Sequence, residues 1–286
     1  MSGRLVKRLC SPSGRLPIGA ALAAACVLAP PALGGSALAA DAFSTDWAAG
    51  AKHEARLIAA GGDVAGFEIR LKPGAITYWR DPGDSGLPPT FDFAGSDNVE
   101  TVEPLFPAPK RMHEADGGQA FGYDGDVILP LRIRPRDSTK PVTLALHADF
   151  AVCEKVCLPA KARLTLTLPA AAASPYAAAV GGALAAVPRA VARKEFGEFS
   201  TTGGESWRLC AAHEQGAPRD LFVEPPEGWW LTATPTGDEP GRDCFTIALR
   251  DKPKDAALPV ALRLTLTGGT GPVETEDPVR HQGGDS

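Results

Sequence analysis

Short runs of alternating apolar and polar residues dominate the chain between residues 66 and 168. The clearest runs, each bounded by Gly, Pro, Asp or Asn, are GFEIRLK (66–72), AITYW (75–79), DVILPLRIR (126–134), VTLALHADFAV (142–152) and ARLTLTL (162–168). A period of two is typical of strands that bury one face, and the bounding residues are typical of turns. This part of the chain therefore predicts a β-sandwich or barrel.

A second group of strand-like runs follows after a break in the pattern. They are SWRLCAA (206–212), DLFVEP (220–225), WWLTATP (229–235), CFTIALR (244–250) and LPVALRLTLTG (258–268). Together they predict a smaller second β domain at residues 195–270. Residues 170–194, mostly alanine with scattered proline and glycine, predict a linker with a short helix before Pro188. Residues 271–286, rich in Gly, Pro and acids, predict a disordered tail.

The first 39 residues have the composition of a secretory signal peptide. Four basic residues precede an alanine-rich apolar run, and Ala37 and Ala39 fit the A-x-A cleavage pattern. Cleavage after Ala39 would remove those four basic residues and change the formal net charge from −5 to −9. Such a charge does not favour nucleic acid or an anionic membrane surface as partners. We expect an exported protein in an oxidising compartment, where disulfides persist.

The stretch DFAVCEKVCLPAKARLTLTL (149–168) places Cys153 and Cys157 between two strand-like runs. Apolar residues of one parity lead from Val142 to Val152, and Leu164, Leu166 and Leu168 continue the pattern beyond the pair. Both sets should line buried strand faces. The two thiols are therefore predicted in the connection at one end of a sandwich, where chemistry is often placed.

Spacing alone leaves three interpretations of this pair open: a redox couple, a structural staple or a metal clip. A ring this small gains much less than the ~3 kcal/mol of a 15-residue loop, and a short accessible disulfide is readily reduced. Two thiolates do not complete a zinc site, although copper(I) accepts two, and His113 and His147 are the candidate imidazoles. Lys155 and Lys161 would favour a thiolate, whereas Glu154 opposes it.

Four segments of the first domain are distinctive: TYWRDPGDSGLPPTFDF (77–93), FPAPKRMHE (106–114), FGYDGDVILPLRI (121–133) and ADFAVCEKVCLPAKA (148–162). They resemble the N-terminal periplasmic domain of the DsbD family of thiol:disulfide interchange proteins, and within it the ScsB-type branch linked to copper tolerance. The resemblance covers most of the first domain, residues 40–169. It implies an immunoglobulin-like β-sandwich there. Together with the second group of strand-like runs, this predicts an all-β protein in which a second, smaller β domain follows the sandwich.

By this resemblance, Cys153 and Cys157 are the redox pair, with Cys157 as the attacking thiol and no cofactor. The implied electron donor is a membrane protein of the DsbD, CcdA or ScsB type, because the family's membrane and thioredoxin-like domains are not in this sequence. The implied acceptors are periplasmic thioredoxin-like oxidoreductases. In the family an aromatic-bearing loop caps the disulfide, and RMHEADGGQAFGY (111–123) occupies the corresponding place. Tyr78, Phe121 and Tyr123 are the expected shielding residues.

Cys210 and Cys244 lie in strand-like runs of the second domain. In an exported protein they most simply form a structural disulfide, worth roughly 3 to 4 kcal/mol, while a second redox pair or free thiols are the alternatives. Two other functions compete with a protein-disulfide reductase. One is a copper(I)-binding or adaptor protein that uses Cys153 and Cys157 as soft ligands. The other is an immunoglobulin-like interaction module in which that bridge is structural.

Overall fold

The computed structural model describes residues 42–84, 86–113, 118–169, 173–203, 205–237 and 239–279. The predicted signal peptide lies outside these ranges. Within them, no helix is long and apolar enough to cross a membrane. Almost all regular structure is β, so the predicted all-β fold class is confirmed.

The first sandwich consists of two mainly antiparallel sheets built from strands β1–β11. Their bounds are β1 Ala48–Ala49, β2 His53–Gly61, β3 Val64–Leu71, β4 Ile76–Gly83, β5 Thr90–Asp92, β6 Val99–Pro104, β7 Lys110–His113, β8 Gln119–Tyr123, β9 Val127–Pro135, β10 Thr143–Cys153 and β11 Cys157–Thr167. Sheet A has the order β1-β2-β3-β9-β6. Sheet B has the order β11-β10-β4-β8-β7, with β5 paired to β10.

The core of this sandwich follows from the alternation seen in the sequence. On β10, the residues from Val142 to Val152 that share one parity are all buried, and Leu164, Leu166 and Leu168 are buried beyond the hairpin turn. The large side chains Phe67 and Trp79 are fully buried in the same cluster. The predicted buried faces of these strands are therefore confirmed.

The second sandwich contains the remaining eight strands of the described residues. Their bounds are β12 Arg189–Ala190, β13 Glu198–Thr201, β14 Ser206–Ala212, β15 Ala217–Glu224, β16 Trp230–Pro235, β17 Arg242–Asp251, β18 Val260–Gly269 and β19 Val273–Val279. Sheet C has the order β12-β19-β18-β15, and sheet D has the order β13-β14-β17-β16. A separate apolar core, which includes Trp207, Phe245 and Ile247, lies between them.

The sheets of this second sandwich extend past the bounds predicted for the domain. The prediction of a disordered tail is wrong for Val273–Val279, which form β19 between β12 and β18. The acids that suggested disorder lie on this strand, where Glu274 pairs with Arg80 and Glu276 with Arg263. Residues 280–286 lie outside the described part of the chain.

The alanine-rich connection is packed along most of its described length. It contains helix α1, Ala177–Ala185, then β12, and then the short helix α2, Arg193–Phe196. Val180 of α1 is fully buried, and α1 lies against β2 and β9 of sheet A. Phe196 of α2 is buried in the core of the second sandwich. The connection therefore adds α1 to the first sandwich and both β12 and α2 to the second.

The two sandwiches meet through an apolar anchor and an ionic cluster. Phe222 of β15 faces away from its own core and packs edge to face on Trp79 and Phe121 of the first sandwich. Beside it, Nε and Nη2 of Arg80 donate to the two carboxylate oxygens of Glu224, at 2.9 and 2.7 Å, and Nη2 also donates to Glu274 at 2.7 Å. Sheet B and sheet C are thus joined close to the end of β4.

Candidate redox site

The cysteine pair lies at the tip of the hairpin formed by β10 and β11. Cys153 is the last residue of β10, Cys157 is the first residue of β11, and the two stand opposite each other in the antiparallel register. Their sulfurs form a disulfide. The three-residue turn between them, residues 154–156, carries no apolar anchor in the core and leaves the bridge at the edge of the fold.

The two cysteines differ in exposure. Cys153 has the opposite parity to the core-facing residues of β10, so it lies on the outer face of sheet B, yet it is only 4% exposed. Cys157 is exposed, as is the next residue, Leu158, and Val156 in the turn is 70% exposed. A partner therefore has access to the sulfur of Cys157, with apolar side chains on both sides of it.

Tyr78 supplies a polar group to this buried sulfur. Its hydroxyl lies 2.8 Å from Sγ of Cys153 and 3.4 Å from Sγ of Cys157. Strand β4 holds it there, because Thr77 is opposite Val152 in the ladder and its Oγ1 donates to the carbonyl of Ala151 at 2.9 Å. Of the three aromatic residues predicted to shield the disulfide, the structure brings Tyr78 into contact with it.

The other two predicted aromatics lie elsewhere. Phe121 packs against Phe222 of the second sandwich, and Tyr123 is in the core of the first sandwich, where its hydroxyl donates to the carbonyl of Pro107. Ala120 is the β8 residue that packs with Tyr78, because alternation along β8 turns Phe121 and Tyr123 away from that side. The prediction that these two shield the disulfide is therefore wrong.

Other residues of the predicted capping segment do flank the site. Met112 of β7 packs beside the buried cluster of Tyr78, Ala120, Ala151 and Cys153. Residues 114–117 of that segment lie outside the described part of the chain.

Sequence reasoning missed a further contact of Tyr78. A Cβ built on Gly86 would lie 2.3 Å from Cε1 of the Tyr78 ring, and Gly86 has a φ of +117°, which favours glycine. The backbone just after β4 thus rests on the face of this ring. The signal in the sequence was the turn-forming string PGDSGLPP (82–89), whose glycine permits that approach.

Four charged side chains near the hairpin form two ion pairs. Lys52 lies 2.5 Å from Glu154, and this ammonium holds the pKa of Glu154 below its usual value, first through the hydrogen bond. Lys161 binds Asp149 at 2.5 Å on the outer face of sheet B. The ammonium of Lys161 is therefore already neutralised, and the carboxylate of Glu154 opposes a thiolate less than the sequence suggested.

The imidazoles considered as metal ligands do not complete a site with the pair. His147 is six residues before Cys153 on the same strand, which corresponds to roughly 20 Å, and its Nε2 lies 3.7 Å from Asp149. The side chain of His113 lies outside the described part of the chain.

Cys210 and Cys244 form a second disulfide, which joins β14 and β17 at directly opposite positions. Both are buried. Among the described residues, they form with Glu239 a group whose ligand atoms lie within 4.8 Å of one another. Their sulfurs are bonded to each other, and Glu239 is 2.9 Å from Arg208, so in this state the group serves as a cross-link beside an ion pair.

A cleft of about 260 Å³ opens between the two sandwiches. Its lining includes Asp81, Asp84 and Arg111 from the first sandwich and Trp229 and Trp230 from the second. Burial raises the pKa of Asp81 to about 6, against the opposing hydrogen bond from the backbone of Gly83. The second sandwich thus reaches the chain segment that rests on Tyr78.

Comparisons with known proteins give the same picture for the first sandwich. Residues 45–169 match the family model described as thiol:disulfide interchange protein DsbD, N-terminal. None of the curated proteins compared with this chain matches it.

Among solved structures, the N-terminal periplasmic domain of ScsB from Proteus mirabilis is 23% identical, with a TM-score of 0.67. The match covers 84% of this chain and 99% of that one, so the likeness of fold takes in both sandwiches. A marsupial T cell receptor and a conserved domain protein from Bacillus anthracis also match, covering 83% and 81% of this chain and 100% and 80% of theirs. Their identities of 9% and 10% and TM-scores of 0.19 and 0.20 are too low to support any argument.

The resemblance first seen in four sequence segments is therefore confirmed over the sandwich that carries Cys153, Cys157 and Tyr78. Its immunoglobulin-like fold is confirmed with it. Residues 45–169 are therefore similar to the N-terminal domain of the thiol:disulfide interchange protein DsbD.

Proposed function

We propose that this protein is a periplasmic thiol:disulfide exchange protein that passes electrons through Cys153 and Cys157. The observation that supports it most strongly is the pairing of one buried and one exposed sulfur at the tip of a hairpin, with the Tyr78 hydroxyl at the buried one. An attacking thiolate can reach Cys157, and the Tyr78 hydroxyl can stabilise Cys153 as the leaving thiolate. The family match of this sandwich supports the same chemistry.

In the proposed reductive half-reaction, a dithiol of the membrane partner reduces the disulfide. Its thiolate attacks Sγ of Cys157, the Cys153–Cys157 bond breaks, and Cys153 leaves as a thiolate next to the Tyr78 hydroxyl. The partner's second thiol then attacks the mixed disulfide and frees Cys157. Two electrons move to this protein, Cys157 takes up the proton that the partner's second thiol gives up, and Cys153 remains a thiolate beside the Tyr78 hydroxyl.

In the oxidative half-reaction, the thiolate of Cys157 attacks a disulfide of an acceptor protein and displaces one of its sulfurs as a thiolate. Cys153 then attacks Sγ of Cys157 in the mixed disulfide. This step restores the Cys153–Cys157 bond and releases the acceptor as a dithiol. The exposed position of Cys157 supports its role as the attacking thiol, with Cys153 as the resolving one.

The family match supports a proposal for the partners and the location of this protein. We propose a membrane protein of the DsbD, CcdA or ScsB type as electron donor and periplasmic thioredoxin-like proteins as acceptors. Export would depend on residues 1–39 as a signal peptide. We propose no cofactor, because thiol–disulfide exchange moves electrons between sulfurs directly.

Trapping of mixed disulfides in cells tests this function. Cys153→Ala leaves an exposed thiol without a resolving partner, so we expect it to accumulate protein adducts that a reductant releases. Cys157→Ala leaves only the buried thiol and should accumulate far fewer. The matched control is Cys210→Ala/Cys244→Ala, which keeps the first pair and should trap none.

The proposal fails if neither single variant accumulates adducts and the wild-type disulfide also resists reduction by a thioredoxin-like dithiol. In that case, copper(I) binding that depends on Cys153 and Cys157 would support the metal-binding alternative.

A further inference from the structure

The geometry points to a role for the second sandwich in the redox chemistry: it holds the chain segment after β4 against Tyr78. In this inference Trp230, Asp84 and Arg111 are positioning residues that keep the Tyr78 hydroxyl on Cys153. The inference rests on the proposed function, since it concerns the reactivity of the same disulfide. It assigns a role to a part of the molecule that the family match does not cover.

The first step is the contact between Gly86 and Tyr78. The Gly86 backbone lies so close to the aromatic ring that an added Cβ would be 2.3 Å from Cε1 and 2.6 Å from Cζ. The hydroxyl on that same Cζ lies 2.8 Å from Sγ of Cys153. The position of Gly86 therefore limits where the ring, and with it the hydroxyl, can lie.

The second step is a direct bond from the second sandwich to this segment. Trp230 donates from its indole Nε1 to Oδ1 of Asp84 at 3.1 Å. Asp84 is two residues before Gly86 and is also joined to β8 through Gln119. The backbone N–H of Asp84 donates to the Gln119 carbonyl at 2.9 Å, and the Gln119 N–H donates to Oδ2 of Asp84 at 3.1 Å.

The third step is an indirect link through Arg111. Its guanidinium binds both carboxylate oxygens of Asp220, at 2.9 and 3.0 Å, and donates to the Leu221 carbonyl at 2.7 Å, so the second sandwich fixes it. The same guanidinium donates to Oε1 of Gln119 at 2.5 Å. Gln119 is the residue that binds Asp84. Both the direct and the indirect link thus end on Asp84.

The consequence concerns the leaving sulfur. When the disulfide is reduced, the Cys153 thiolate is the leaving group, and a hydroxyl held on it stabilises the charge that develops. If the segment after β4 is released from the second sandwich, the Tyr78 ring gains freedom and the hydroxyl spends less time on the sulfur. Reduction of the disulfide should then slow, and this slowing should require the Tyr78 hydroxyl.

The test compares rates of disulfide reduction by excess dithiothreitol in the full chain. We expect Trp230→Phe, which removes the indole donor, and Asp84→Ala to slow reduction by about threefold each, the scale of one modest hydrogen bond. The double variant should be no slower than Asp84→Ala alone, because Asp84→Ala already removes the hydrogen bond from Trp230. Trp47→Phe is the matched control, since its ring packs on Arg56 and Arg70 of sheet A, and it should react like the wild type.

A second readout separates positioning from a general loss of stability. In a Tyr78→Phe background, Trp230→Phe and Asp84→Ala should have no further effect on the rate. The inference is overturned if either change slows reduction equally with and without the Tyr78 hydroxyl, or if Trp230→Phe matches Trp47→Phe. The proposed function is judged separately, by whether the wild-type disulfide exchanges with protein partners. Dithiothreitol kinetics can therefore support or overturn this inference whichever way that result falls.

Discussion

At the scale of single residues, the redox site depends on which way each side chain points from its strand. Cys153 follows Val152 on β10, so alternation places it on the outer face of sheet B, where Tyr78 of β4 meets it. The same rule explains the failed shielding prediction. Gly122 is opposite Tyr78, and Ala120 shares its parity, so a strand at 119–123 points Phe121 and Tyr123 the other way. The sequence contained this information, but only once the register of β8 on β4 was known.

We predict that Tyr78→Phe lowers the reduction potential of the Cys153–Cys157 couple by about 30 mV. The hydroxyl donates more strongly to a Cys153 thiolate than to the disulfide, so its loss destabilises the reduced form. A hydrogen bond to a charged group is worth about 1.5 kcal/mol, which corresponds to about 30 mV for two electrons. Equilibration in glutathione buffers, followed by alkylation and mass measurement, gives the potential.

Tyr176→Phe is the control for this change, because the Tyr176 hydroxyl binds Arg56 on sheet A. An equal potential in both variants would show that the Tyr78 hydroxyl does not act on the couple.

At the scale of elements, the strand pattern was informative where one face is buried and failed where both faces have partners. All ten runs of alternating residues quoted from the sequence overlap strands of the structure. Strand β19 was missed because its acids suggested solvated chain. In the fold, Glu274 and Glu276 are partners of arginines, and Thr275 between them is buried. Arg80 and Glu274 are 194 positions apart, a pairing that no local pattern reveals.

We predict that Cys210→Ala/Cys244→Ala lowers the free energy of unfolding by about 3 to 4 kcal/mol, because the cross-link between β14 and β17 closes a 34-residue separation. Chemical denaturation under non-reducing conditions measures it. Reduction of Cys153–Cys157 by dithiothreitol should keep its wild-type rate in this variant. A large loss of exchange activity with little loss of stability would instead make Cys210 and Cys244 a second redox pair.

At the scale of the whole molecule, the contacts between the two sandwiches could not be predicted from the sequence. Phe222 has the parity opposite to Leu221 and Val223, which face the second core, and it is nevertheless 1% exposed. A strand with apolar residues on both faces indicates two covered surfaces, but the pattern does not say what covers the second. Here the first sandwich does, through Trp79 and Phe121.

We predict that Arg80→Met lowers the free energy of unfolding by about 3 kcal/mol, because it leaves two part-buried carboxylates, Glu224 and Glu274, without their cation. Scanning calorimetry should show a lower transition temperature and separate unfolding of the two sandwiches. Arg132→Met removes a pair that is 60% exposed on both sides and should change the free energy by 1 kcal/mol at most, as is usual for such pairs. Equal effects of the two substitutions would mean that the junction cluster contributes no coupling.

The packed connection between the sandwiches has a mechanical consequence. Helix α1 ends at Ala185 on the first sandwich, and β12 begins at Arg189 within a sheet of the second, so only residues 186–188 separate the two elements, roughly 10 Å when extended. A connection this short leaves the two sandwiches little room to move apart. A protein that docks on the hairpin cannot move one sandwich away from the other without breaking the contacts of α1 or those of β12. A force on the hairpin of the first sandwich should therefore reach the second through this connection and through the contacts of Trp79 and Arg80.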